Sequence, residues 1–292
     1  MSQARYGISA ILLACIIWGF VPIYFKLLLH VPPIELLAHR TLWSFLFFFA
    51  VLFFNGKIKD LRDAVFVSKE SRSTIMTSAL LIAINWFFFI FAVQSNNITE
   101  TSLGYFIMPL FTVIWGLIIF KEKLSNAQWV AVLLAASAVL ILTIGLAKAP
   151  LIALILGLSF SYYAVLKKKL LISPMVSVTG EVLILVPLAI IVIIYFHLGQ
   201  GSSFGKSFYT SFLFVLSGPL TAVPLILFSY GTLRVALSTA GILQYLNPSL
   251  QFFCAVILFL EPLTMWHIVS FPMIWIALAI YSWVGIKHSN QT

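Results

Sequence analysis

Residues 175–197 read MVSVTGEVLILVPLAIIVIIYFH, a run of 23 residues in which Glu181 is the one acid and no lysine or arginine intervenes. A helix rising about 1.5 Å per residue needs about 20 apolar residues to cross the roughly 30 Å hydrocarbon core of a bilayer. The run therefore predicts a spanning helix. Nine more runs of this kind stand at 7–29, 34–54, 74–93, 101–120, 127–146, 149–166, 208–230, 235–260 and 264–286. They are continuous rather than alternating apolar and polar, which excludes a transmembrane barrel. The first is not read as a secretory signal, because it lacks a small-residue cleavage site and further spans follow it. The expected fold is an all-α polytopic membrane protein with ten transmembrane helices.

Composition agrees. Hydrophobic residues make up 62% of the 292-residue chain and charged residues 9%, where soluble proteins carry about 25% charged residues. A soluble enzyme, a DNA-binding domain and a disordered tail are excluded together. The net charge of +9 then concerns orientation rather than nucleic acid, since positively charged loops stay in the cytoplasm. Assigning loops to alternate sides puts Arg5, Lys57, Lys59, Arg62, Lys69, Arg72, Lys121, Lys123, Lys167, Lys168, Lys169, Arg234 and Lys287 on one side. Only Lys148 and Lys206 fall on the other. Both termini and the loop 55–73 are expected in the cytoplasm, with the chain multi-pass in the cell inner (plasma) membrane. Cys15 and Cys254 lie in apolar runs without metal-ligand spacing and read as neither disulfide nor metal site.

The chain repeats itself. A shift of 139 residues places Phe106 on Tyr245, Pro109 on Pro248, Glu122 on Glu261 and Leu124 on Leu263. A shift of 142 places Trp18 on Phe160, Lys26 on Lys168 and Pro32 on Pro174. Two halves follow, residues 1–146 and 147–292, with five helices each. Because five is odd, the second half is inverted in the membrane, and such halves can exchange conformations to open a central site to either side. Duplication within a static membrane protein is the plainer alternative.

Several segments together carry a family likeness over nearly the whole chain. They are Trp18-Gly19 through Lys26, Glu35 through His39-Arg40 with Trp43-Ser44, Asn85-Trp86, Ser102 through Phe106 before Pro109, Gly218-Pro219 through Pro224, and Gly241 through Pro248. In these the sequence resembles the RarD group of the EamA family, within the drug/metabolite transporter superfamily. The resemblance implies a ten-helix inner-membrane carrier whose relatives export amino acids, metabolites or drugs. One position departs from it: Met108 stands where the resemblance implies Asn.

Polar residues within spans are costly and usually face the protein interior or a water-filled cavity. Glu35, His39 and Trp43, spaced by four, share one helix face, with Arg40 alongside. The planar donor fork of Arg40 suits a carboxylate or phosphate on a substrate. The structural alternative is an ion pair with Glu35 or Glu181. Glu181 without a cation is a candidate proton carrier, whereas pairing with Arg40 or Lys26 makes it a helix lock. The 142-residue shift also places Glu181 on His39, and Glu35, Lys26, Glu181, Pro109 and Pro248 are the candidate coupling or gating groups. His39 is a titratable candidate or a packing residue, and Glu100 sits at a span boundary within reach of water.

Pro109 and Pro248 each remove a helical hydrogen bond, which frees the carbonyls of Tyr105 and Gln244. Phe106, Tyr245 and Asn247 flank these breaks, and Trp18, Tyr24, Asn85 and Trp86 extend the same kind of surface. An aromatic lining with a few hydrogen-bonding groups describes a small-molecule pocket; the bland reading is an aromatic packing layer. No phosphate-binding glycine loop is present, and His30, His39, His197, His267 and His288 are scattered, so neither ATP hydrolysis nor a metal or other cofactor is expected. The reading is a secondary transporter, not an enzyme. It exports small metabolites, amino acids or drugs by alternating access, driven by a proton gradient or by exchange. Its partners are a small-molecule substrate and the lipid bilayer. The alternatives are an intramembrane enzyme acting on a lipid-like substrate, and a channel.

Overall fold

A computed structural model describes residues 3–94, 98–145, 151–258, 260 and 264–289. Among the described residues there is no strand. The helices are α1 (Gln3–Lys26), α2 (Pro33–Phe54), α3 (Ile58–Arg62), α4 (Lys69–Gln94), α5 (Ile98–Ile119), α6 (Asn126–Gly145), α7 (Leu151–Lys169), α8 (Pro174–Tyr195), α9 (Phe208–Thr232), α10 (Leu237–Leu243), α11 (Leu246–Phe253) and α12 (Met265–Ser289). Single π-helical turns follow α3, α8 and α11, at Asp63–Val67, Phe196–Gln200 and Cys254–Leu258. The boundary expected at 146/147, and with it Lys148, Glu261 and Leu263, lies outside the described residues, as do the side chains of Glu100, Ser102 and Lys287.

Eight of the described helical stretches are long and apolar enough to cross a membrane: Gln3–Lys26, Pro33–Phe54, Lys69–Phe89, Asn126–Gly145, Leu151–Lys169, Pro174–Gly199, Phe208–Thr232 and Leu237–Leu258. Two of the ten expected runs appear as shorter apolar stretches, Gly104–Ile119 and Met265–Tyr281. The fold is thus an all-helical, multi-pass membrane fold. Large apolar side chains such as Phe53, Leu133, Leu140, Ile191 and Ile276 point outward, as a protein immersed in hydrocarbon allows.

Local chemistry sets the helix ends. Ser173 and Ser207 cap α8 and α9 by accepting from the backbone N–H of Val176 and Thr210, the donors that a helix start leaves unpaired. Pro174 occupies the first turn of α8, where its missing N–H costs nothing. The segment 55–73, expected as a charged loop, instead contains α3 and a π turn. Its apolar residues fall at helical spacing, so Leu61, Ala64 and Val65 are buried against Leu52, Ile75, Leu170 and Val176. Arg62 and Asp63 pair at 3.1 Å on the exposed side.

Helix pairs recur along the chain. α4 packs on α7, and α9 packs on α1; α5 packs on α7, and α10 and α11 pack on α1. Like pairs also meet: α2 with α8, α5 with α10 and α6 with α12. The bounds recur as well. A shift of 139 carries α5, Ile98–Ile119, onto the stretch Leu237–Leu258, and the start of α6 at Asn126 onto that of α12 at Met265. Lys121 (φ 52°) and Leu260 (φ 55°), also 139 apart, are the non-glycine residues with left-handed backbone among the described ones.

Small residues let helices approach closely where no aqueous hydrophobic drive operates between them. A Cβ on Gly241 would stand 2.8 Å from the Pro109 carbonyl oxygen, and one on Gly218 would stand 2.6 Å from that of Trp43. The first contact joins α5 to α10 and the second joins α2 to α9. The second also sets the distance between the two helices that carry the site described next.

Candidate functional site

A cavity of about 20 Å³ lies where α1, α2 and α9 meet, lined by Trp18, Val21, Tyr24 and Phe25, by Arg40, and by Ser217, Leu220 and Thr221. That volume holds about one water molecule. Arg40 dominates it chemically. Its Nε donates to Thr221 Oγ1 at 2.6 Å, and its guanidinium carbon lies 4.5 Å from the Trp86 ring centroid and 6.0 Å from that of Phe25. Tyr24 and Tyr105 lie within electrostatic reach of the same group. The Tyr24 hydroxyl donates to the Leu213 carbonyl at 2.9 Å, which ties α1 to α9. Pro219 and Pro224 lie within a continuous α9 on either side of Thr221, and each deprives a carbonyl four residues earlier of its helical donor.

Neither carboxylate expected to neutralise Arg40 does so. Glu35 is buried and accepts from Ser202 Oγ (2.8 Å), Ser203 N (2.6 Å) and Ser203 Oγ (2.8 Å). Glu181 is buried and pairs with Lys167, while Tyr163 (3.0 Å) and Ser177 (3.1 Å) donate to the same carboxylate. The expected pairing of Glu181 with Arg40 or Lys26 is therefore corrected. Lys167, read from sequence as a loop charge, belongs to the last turn of α7 and is buried. Lys26 is exposed at the C-terminal turn of α1. Lys167–Glu181 and Arg62–Asp63 form ion pairs, and among the described residues no carboxylate pairs with Arg40.

The face formed by Glu35, His39 and Trp43 turns away from this cavity and toward the loop between α8 and α9. The His39 ring stacks on Phe204 (5.0 Å) and Phe214 (4.4 Å), and Trp43 lies 6.0 Å from Phe204. Both ring nitrogens of His39 and Nε1 of Trp43 are buried without a hydrogen-bond partner among the described residues. Four-residue spacing does place the three on one face, but Arg40 lies about 100° further round the helix and meets a different neighbour.

The remaining candidates separate. Asn85 donates to the Leu156 carbonyl (2.9 Å) and to Ser159 Oγ (3.0 Å), which joins α4 to α7. Phe106 and Tyr245 are buried in the packing of α5, α6, α10 and α12, with Phe106 edge-on to Phe271 at 5.1 Å. Pro109 lies within a continuous α5, whereas the α10–α11 stretch does turn at Gln244 and Tyr245. The Gln244 carbonyl, expected to be free, accepts from the Asn247 N–H at 3.1 Å. A tight turn thus repairs the loss at Pro248. The side chain of Asn247 accepts from Gln251 at 3.0 Å, and Gln251 also reaches the Trp18 carbonyl at 3.4 Å. Gln244 Oε1 and the Tyr245 hydroxyl are buried without partners among the described residues. Met108 is buried in the central core beside Phe160 and Tyr163.

Trp18, Tyr24, Arg40, Trp86 and Tyr105 are therefore the sequence candidates that the fold brings together. Ser217 and Thr221 were missed, although two prolines five residues apart in one apolar run mark carbonyls without helical donors there. Lys167, Tyr163 and Ser177 were missed because a lysine at the end of a run reads as a loop charge.

The EamA-like transporter family matches residues 5–144. Protein RarD of Escherichia coli (strain K12) is 36% identical over 99% of this chain and 98% of its own length. The Bacillus subtilis protein named "Uncharacterized transporter YojE" is 34% identical over 100% of this chain and 98% of its own. A solved crystal structure, 18% identical and covering 97% of both chains, superimposes with a TM-score of 0.71 and shares the fold. The chain belongs to the EamA-like transporter family. Within it, the chain is a RarD-type member of the drug/metabolite transporters, a multi-pass membrane transporter.

Proposed function

We propose that the chain is a ten-span secondary carrier of a small molecule, built from inverted halves 1–146 and 147–292, which exports its substrate by alternating access. The observation that carries this reading is the 139-residue recurrence. The same helix bounds return, and the same left-handed residue closes them, at Lys121 and Leu260. Non-glycine residues rarely adopt that conformation, so its return at equivalent positions supports two copies of one unit. The cavity at Arg40 draws α1 and α2 from one half and α9 from the other, which is where a carrier of this architecture holds its substrate. Its small volume fits a conformation closed around the site.

The bias of lysine and arginine supports both termini in the cytoplasm, and it survives without Lys167 and Lys168, whose side chains are engaged within the fold. A proton gradient or exchange supplies the drive; because Glu181 is held by Lys167, coupling through it requires that pair to open. Counterflow in proteoliposomes tests the carrier. Preloading with whichever of 3-phenylpropionate and tryptophan is carried is expected to accelerate saturable uptake of the same labelled compound. Linear, unaccelerated uptake supports a channel instead, and consumption of the compound supports an enzyme.

A further inference from the structure

We infer that Arg40 binds the oxyanion head of a substrate with a flat apolar body and no cationic amine. The inference rests on the carrier reading and names the class of molecule carried. Arg40 has five N–H donors, and its one hydrogen bond to a described residue uses Nε, to Thr221. The terminal edge of the fork is left for an acceptor. Arg40 is half-buried and lines the cavity, so an acceptor placed there can reach the donors that Thr221 leaves unused. Glu35 and Glu181 are held by donors elsewhere. A single water fits the cavity but brings no charge. A carboxylate or phosphate brings the charge and matches two parallel N–H donors.

The surroundings specify the rest of the ligand. Trp18, Tyr24 and Phe25 line the cavity, the Trp86 ring stands 4.5 Å from the guanidinium carbon, and Tyr105 lies close by. Aromatic faces of this kind accept a flat apolar group by offset or edge contacts. Among the described residues no acidic side chain lines the cavity. An ammonium group on the ligand would therefore meet Arg40 as a like charge and find no carboxylate. This separates simple aromatic acids from amino acids carrying the same ring.

The test measures binding to the full chain in lipid nanodiscs by ligand-induced thermal shift. The probes are 3-phenylpropionate, indole-3-propionate and phenyl phosphate, each beside a control: 3-phenylpropionamide, tryptophan and phenol. The acids are expected to bind about tenfold or more tightly than the controls. Arg40→Gln should abolish that difference, and Thr221→Val, which frees Nε without removing the charge, should reduce it. Phenyl phosphate against the two carboxylates tells which oxyanion is preferred. Controls that bind as well as the acids overturn the inference, as does failure of all three acids to bind. So does unchanged selectivity in Arg40→Gln. If that variant does not fold, Thr221→Val and the acid-to-amide ratio in the wild type decide it. The same probes in counterflow separate the two readings. Saturable exchange of neutral or cationic compounds alone keeps the carrier and removes the anion; Arg40-dependent acid binding without exchange keeps the anion and removes the carrier.

Discussion

Glu122, three residues beyond the end of α5, grips the first turn of α10 through Ser238: its carboxylate accepts from both the backbone N–H (2.9 Å) and the hydroxyl (2.6 Å) of that residue. The Leu237 N–H donates to the other oxygen at 2.5 Å. Lys168 reaches the neighbouring Val235 carbonyl and lies within electrostatic reach of Glu122. Helix starts expose unpaired donors with partial positive charge, so one carboxylate joins the end of α5 to the beginning of α10. Glu122→Ala removes every acceptor. With about 1.5–3 kcal/mol lost from charged hydrogen bonds, amide exchange at Leu237 and Ser238 should accelerate by about tenfold to a hundredfold in hydrogen–deuterium exchange. Unchanged protection would show that the clasp contributes nothing.

Lys167 and Glu181 are both buried, and the consequence of breaking them differs from that of replacing them. Removing one partner leaves an uncompensated charge, costing about 3–5 kcal/mol, whereas an apolar or neutral pair of similar shape is often tolerated. Lys167→Met and Glu181→Gln should each lower the melting temperature in detergent, and the double variant should recover most of the loss. A double variant as unstable as the sum of the singles would argue against a coupled pair.

The same Glu181 variant tests coupling. Glu181→Gln keeps the shape of the side chain but cannot release a proton, so pH-gradient-driven transport should disappear while substrate exchange persists. Gradient-driven transport with its normal pH dependence in that variant would remove Glu181 from the coupling step.

Orientation is tested by a cysteine at Lys59, at the start of the α3 segment. Native Cys15 and Cys254 are buried and should label weakly. An impermeant maleimide should modify the new cysteine only after the membrane is opened; labelling in intact cells would invert the topology.

The membrane-spanning helices were legible because hydrophobic length is a one-dimensional property, and the 139-residue periodicity was legible because equivalent turns need equivalent residues. The site was less legible. Helical periodicity identified the Glu35, His39 and Trp43 face but not the element it meets, and the Ser202–Ser203 donors that claim Glu35 lie 167 and 168 residues away. Proline marked where a helical donor is missing, yet α5 runs on through Pro109, and the tight turn joining Gln244 to Asn247 shows that a missing donor can be replaced locally. Arg40 was identifiable as an unusual intramembrane charge. That it lacks a carboxylate became visible only when Glu181 was found with Lys167.

Gly218 connects packing to the site and yields the last prediction. It lies three residues before Thr221 on α9, and a Cβ there would stand 2.6 Å from the Trp43 carbonyl oxygen and 3.0 Å from the Trp43 Cβ. The nearest obstacles are backbone and the root of a side chain, neither of which can rotate away. Gly218→Ala must therefore move α9 away from α2, and Arg40 lies on α2 one turn before Trp43. Overpacking of this kind costs about 1–3 kcal/mol. The 2.6 Å bond from Arg40 Nε to Thr221 has little slack, because hydrogen bonds weaken as the donor and acceptor separate beyond about 3.2 Å. The variant should show a lower melting temperature together with weaker oxyanion binding, and Gly218→Ser should resemble it, since the added hydroxyl does not relieve the clash at Cβ. Gly199, where an added Cβ would meet nothing within 4 Å, provides the control: Gly199→Ala should leave both measurements unchanged. If Gly218→Ala binds 3-phenylpropionate as the wild type does, the α2–α9 contact does not position Arg40.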